Sequence, residues 1–213
     1  MAKARVDVSA VPSMELSLIG MDLVTVDIKV QGLSGLIVHA WSEKSKRQML
    51  DKQMGLASKG KARRNPQEEY DAAFHRLPNG RPGFPALGFK AATVTAVTSL
   101  GKDYTKVMAR QAFHFVLPTG CDLVEIHHPK DTPPVMRQDI CRIGISTAEN
   151  RFRPEFAVWG AVLRITHNQR AMSTHQLINL INLGGFSVGV GEWRPERDGD
   201  KGRYEVVNKF SWE

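Results

Sequence analysis

Twice along its 213 residues the chain sets a strand-like run ahead of a helix-like one, and this doubled pattern constrains its fold most. Residues 23–30 read LVTVDIKV, alternating apolar and polar side chains as a half-buried strand over 22–31 does. Pro85 then precedes Leu87, Ala91, Val94, Val97 and Leu100, spaced along one face of a helix over 86–100 that Gly101 stops. The second unit begins with AVWGAVLRITH at 157–167, a strand that offers Val158, Ala161, Leu163 and Ile165 to a core. Ser173-x-x-Gln176 has the form of a capping box, with Leu177, Ile178, Leu180 and Ile181 as the apolar stripe behind it. Gly184-Gly185 is expected to end that helix at 183, and RYEVVNK at 203–209 supplies a last short strand.

Shorter signals fill the gaps. Leu36-Ile37-Val38 extends the first strand or forms a second, and a helix is expected from about Glu43 to Met54. Asn65-Pro66 opens another, with Gln67, Glu68 and Glu69 in its first turn. Pro78-Asn79-Gly80 reads as a hairpin tip between Ala73–Leu77 and Arg81–Phe84. Short strands joined by turns are expected over 112–135, with another at Ile140–Ile145. Together these predict an α+β fold with a ferredoxin-like (RRM-like) core. One domain spans 1–213, with a basic helical insertion at 43–76 and a small β-rich middle insertion at 110–150. At 42% hydrophobic and 24% charged, the chain carries enough apolar content for such a core.

The charge is concentrated. Residues 44–64 hold Lys44, Lys46, Arg47, Lys52, Lys59, Lys61, Arg63 and Arg64 against Asp51 alone. Eight cations less one carboxylate leave +7, the formal net charge of the whole chain. Such a field attracts a polyanion, because each cation placed on a phosphate releases condensed counterions. A solvated loop that merely keeps the protein soluble accounts for the charge equally well. Other classes are disfavoured. Cys121 and Cys141 show no CxxC spacing and no companion histidines, so neither a zinc site nor a disulfide framework is expected. Residues 1–20 read as an extended arm or an irregular lead-in, and no apolar run approaches the roughly 20 residues of a spanning helix. The expectation is a cytoplasmic protein with no membrane partner, no metal and no cofactor.

Residues 184–195, GGFSVGVGEWRP, form the second functional signal. Its glycines let backbone approach a ligand closely; Phe186 and Trp193 offer faces on which bases stack, and Arg194 meets phosphate or stacks itself. A tight turn with two core aromatics explains the same residues. The segment follows a helix rather than a strand, so it is no dinucleotide fingerprint, and no GxxxxGK[ST] loop occurs.

With Phe84-Pro85-Ala86-Leu87-Gly88-Phe89-Lys90 at the start of a helix and a glycine-rich loop after the last one, the chain resembles the RAMP superfamily, which includes the Cas7-type subunits of CRISPR complexes. Pro85 and Lys90 match the family's segment, whereas Ala86, Leu87 and Gly88 depart from its small hydroxyl residues. GVGEWRPE is also similar to small RAMP-like proteins of bacteriophages. The resemblance implies that repeated subunits bind single-stranded nucleic acid, RNA or DNA, as a homo-oligomer or filament. Lys90 and Arg194 would then flank the core site while the cations of 44–64 hold the backbone with weak sequence dependence. Two alternatives stand beside this reading. One is a metal-independent RNA endonuclease in which His39, next to the basic stretch, acts as general base. The other is a phage structural or assembly protein that uses the basic insertion against an acidic surface. Arg151 and Arg153 either extend an electrostatic track or pair with Glu149 and Glu155.

Overall fold

The computed structural model describes residues 20–56, 63–101, 104–143 and 147–213. In chain order the elements are β1 (Leu23–Gly32), β2 (Leu36–Ile37), α1 (Glu43–Gln53), α2 (Pro66–Ala72), β3 (His75–Arg76) and β4 (Pro82–Pro85). Then come α3 (Ala86–Ala96), α4 (Lys106–Ala112), β5 (Phe113–Phe115), β6 (Leu123–His127), β7 (Val135–Ile143) and β8 (Thr147–Phe156). The chain closes with β9 (Gly160–Asn168), α5 (Thr174–Ser187) and β10 (Tyr204–Val207).

The result is an α+β fold built on antiparallel sheets. The larger runs β10-β1-β9-β6-β4-β3, with β5 also on β9, and the smaller runs β2-β8-β7. β1 pairs along its whole length with β9, so Val26 meets Ile165, Ile28 meets Leu163 and Val30 meets Ala161. Those inward residues are buried or partly buried, while Asp27 between them faces out. This is the period of two that the sequence shows. α3 and α5 cover the inner face, closing a core around Phe89, Trp159, Leu177 and Tyr204.

Ser173 caps α5 as expected, accepting from the Gln176 N–H while the Gln176 side chain accepts from the Ser173 N–H. The helix does not end at Gly184-Gly185 but runs on to Ser187. Both glycines serve close packing instead. A Cβ on Gly184 would lie 3.0 Å from the Ala92 backbone, and one on Gly185 only 2.0 Å from the Tyr204 carbonyl oxygen. The expected Ala157 start of the C-terminal strand shifts to Gly160.

Two elements lie outside the sequence reading. α4 is a seven-residue helix whose cap is Thr105, accepting from the Met108 N–H. β8 carries Arg151 and Arg153 where a half-buried strand would carry apolar residues, so it shows no hydrophobic alternation. Residues 110–150, expected as one small insertion, divide between the sheets: β5 and β6 join the larger, and β7 joins the smaller. The strand expected over Ile140–Ile145 is the end of β7, and its last two residues lie outside the described ones, as do residues 1–19 of the expected arm. Among the described residues, no helix is long and apolar enough to cross a membrane.

Candidate functional site

A cleft of about 250 Å³ opens between the β4–α3 junction and the loop that follows α5. One wall comes from Phe84, Pro85 and Gly88 and the other from Val188 to Glu192; His39 and His75 face it, and Arg194 and Glu196 sit at its rim. The glycine-rich loop is pinned by its backbone. Val190 N–H donates to the Gly202 carbonyl at 2.9 Å, and Glu192 N–H to the Ile37 carbonyl at 2.9 Å. Gly191 has φ +78°, and a Cβ there would stand 2.5 Å from the Ile37 oxygen, so only glycine fits. Trp193 follows at φ +55°, an uncommon conformation for a bulky residue.

Behind the loop lies an ionic network. Arg153, 1% exposed, donates from Nη2 to Asp139 Oδ2 at 2.5 Å and approaches Glu192 Oε2 with Nη1 at 3.3 Å. Its Nε has no partner among the described residues. Arg137 donates to Asp139 and to Glu155, which Lys201 also holds. Glu192 faces His39 from its other oxygen, with Nδ1 3.9 Å away. Burial lowers the His39 pKa; Arg151 and Arg153 add to the effect, and Glu192 and Glu149 oppose it. His75 is lowered chiefly by burial too, with Asp122 opposing and His39 and Lys46 assisting.

α1 begins four residues after His39 and buries none of its side chains. Lys44, Lys46, Arg47 and Lys52 therefore all reach solvent, as do Trp41, Met49, Leu50 and Met54 around them. Lys46 is paired with Glu43 at 2.7 Å, whereas Lys44, Arg47, Lys52 and Arg63 have no carboxylate partner among the described residues. Arg64 is tied down by both Glu69 oxygens and the Asn150 carbonyl. Lys59 and Lys61 lie outside the described residues.

The cleft thus brings together His39, Arg194 and the glycine loop, but Lys90 is elsewhere. It points from α3 toward β5, over the Phe113 ring and 3.4 Å from His114 Nδ1, where burial lowers its pKa. Arg194 is not a free cation either, because it grips Glu196 with two nitrogens and donates to the Gly191 carbonyl. Phe186 and Trp193 are exposed, not core residues. Arg151 pairs with Glu149 at 3.3 Å, and Arg153 is buried, so the pair forms no surface track. His75, Asp139 and the role of Glu192 escape sequence reasoning because β3, β7 and the loop after α5 bring them together from far apart in the chain. Cys121 and Cys141 are free and half-buried. No group of three or more potential metal ligands occurs among the described residues.

No family model matches the chain, and no curated protein does. Among solved structures it is similar to Cmr6 from Pyrococcus furiosus, at 11% identity and a TM-score of 0.44 over 87% of this chain and 98% of that one.

Proposed function

We propose that this chain is a single-stranded nucleic-acid-binding protein of RAMP-like, Cas7-like type with a ferredoxin-like core, working as an oligomer. The observation that carries the reading is α1, a helix that buries nothing and presents cations beside Met49 and Leu50, with exposed Trp41 and Met54 flanking its two ends. Cations that track a backbone beside exposed apolar and aromatic groups suit unpaired strands, whose bases offer faces for stacking. α1 starts beside the cleft, so a strand lying along it leads to the glycine loop. The core assignment is supported by the order β10-β1-β9-β6, in which the last and third core strands flank the first. Oligomer formation is supported by β7, whose outer edge has no partner strand among the described residues and exposes Val135 and Ile140.

The test is affinity for a single-stranded oligonucleotide across salt concentrations. Replacing Lys44, Lys46, Arg47 and Lys52 by alanine removes four cations, one of them already paired with Glu43. For single strands this lowers the slope of log affinity against log salt by about 2 to 3. A variant with an unchanged slope refutes the reading.

A second reading, RNA cleavage with His39 as base, is favoured by its place in the cleft and its lowered pKa, which keeps the ring neutral and able to accept a proton. Intact RNA after incubation with the wild-type protein retires it.

A further inference from the structure

The cleft holds a carboxylate where a phosphate grip would place a cation. Glu192 is fixed at both ends, by its backbone bond to Ile37 and by the buried Arg153, yet its side chain stays 43% exposed toward the cleft. A carboxylate there repels phosphate and accepts N–H donors. With one contact on each oxygen, Arg153 at 3.3 Å and His39 at 3.9 Å, lone pairs remain free on both.

We propose that the cleft takes one unpaired guanine of the bound strand, read on its Watson–Crick edge by Glu192. This deepens the single-stranded reading and rests on it, adding one read base to contacts otherwise made with the backbone. Guanine presents two adjacent donors, N1–H and the N2 amino group, that match the two oxygens of one carboxylate in a parallel pair. Adenine and cytosine set an amino group beside a ring acceptor, and uracil sets one N–H between two carbonyls, so each would push an acceptor against the carboxylate. The space suits a single base. At about 250 Å³ the cleft lies just below the roughly 300–1,000 Å³ of pockets that take drug-sized ligands, a size that suits one base. Phe84 and His75, whose rings pack edge to face with centroids 6.2 Å apart, line the cleft with Glu192 and offer aromatic contact to the base.

The experiment uses the full chain and labelled single strands of equal length, all uridine or all thymidine, with or without one central guanine. A third strand of each set carries hypoxanthine there, which keeps N1–H and lacks the amino group. The guanine strand should bind about 5- to 150-fold more tightly than its guanine-free partner, and the hypoxanthine strand should lose most of that gain. E192Q should lose the preference, and its affinity for the guanine-free strand should rise because a negative charge leaves the cleft. Equal wild-type affinity for strands with and without guanine overturns the proposal while leaving single-strand binding intact, as does an E192Q variant that keeps the preference. Failure to bind any strand overturns both. If circular dichroism shows E192Q unfolded, the hypoxanthine comparison on wild type decides alone.

Discussion

Removing Asp139 leaves a buried guanidinium without its principal partner. Arg153 is 1% exposed, and its shortest ion pair is the one to Asp139; what remains in D139A is Glu192 at 3.3 Å, partly in solvent. Breaking a buried pair from one side costs about 3–5 kcal/mol, and the surviving Glu192 places this site near the lower end, at about 3 kcal/mol. For a chain of this size each kcal/mol lowers Tm by roughly 2–4 °C, so D139A should melt about 6–12 °C below wild type by circular dichroism. Adding R153M removes the stranded charge, and the double variant should recover part of the loss. The loss depends on pH with a definite sign. Burial raises the Asp139 pKa, but the hydrogen bonds from Arg137 and Arg153 outweigh it and hold it below its ordinary 3.8. A depressed folded pKa means that the stabilisation is full above the unfolded value and fades as pH falls through the folded one. The two melting curves should therefore converge in strong acid. A D139A protein melting within about 2 °C of wild type at neutral pH, or a double variant less stable than D139A, refutes this account.

G185A should be destabilising, because its Cβ would stand 2.0 Å from the Tyr204 carbonyl and force β10 away from α5. A loss of about 1–3 kcal/mol in urea unfolding is expected, and one below about 0.5 kcal/mol would show that the helix and strand can part freely. His39 should titrate below 6.5 by NMR, since burial lowers its pKa; R151A should raise the midpoint by removing the next contribution. Its folded pKa is the lower one, so the stability linked to neutral His39 is complete above 6.5 and declines as pH falls through the folded value. A midpoint at or above 6.5 contradicts the burial seen here.

By itself the sequence determined the elements whose periodicity is local. β1 shows its alternation, α5 its capping box and stripe, and α1 its run of cations. Each depends on neighbours within a few residues, so each is legible in order along the chain. Tertiary structure alone decided how the glycines and charges are used. Gly184-Gly185 looks like a helix stop, yet Ala92 and Tyr204, far away in the chain, approach so closely that a Cβ at 184 would crowd Ala92 and one at 185 would collide with Tyr204. Arg153 looks like a surface cation, yet β7 brings Asp139 across from it in the smaller sheet and the loop brings Glu192. β8 was hidden for the same reason, since its inward position holds a charge satisfied only by another strand. Lys90 and Arg194 are cations in sequence, but desolvation over Phe113 and a grip on Glu196 occupy them. Charge is a property of composition; whether a charge is free to meet a ligand depends on burial and partners, which pairing of distant strands sets.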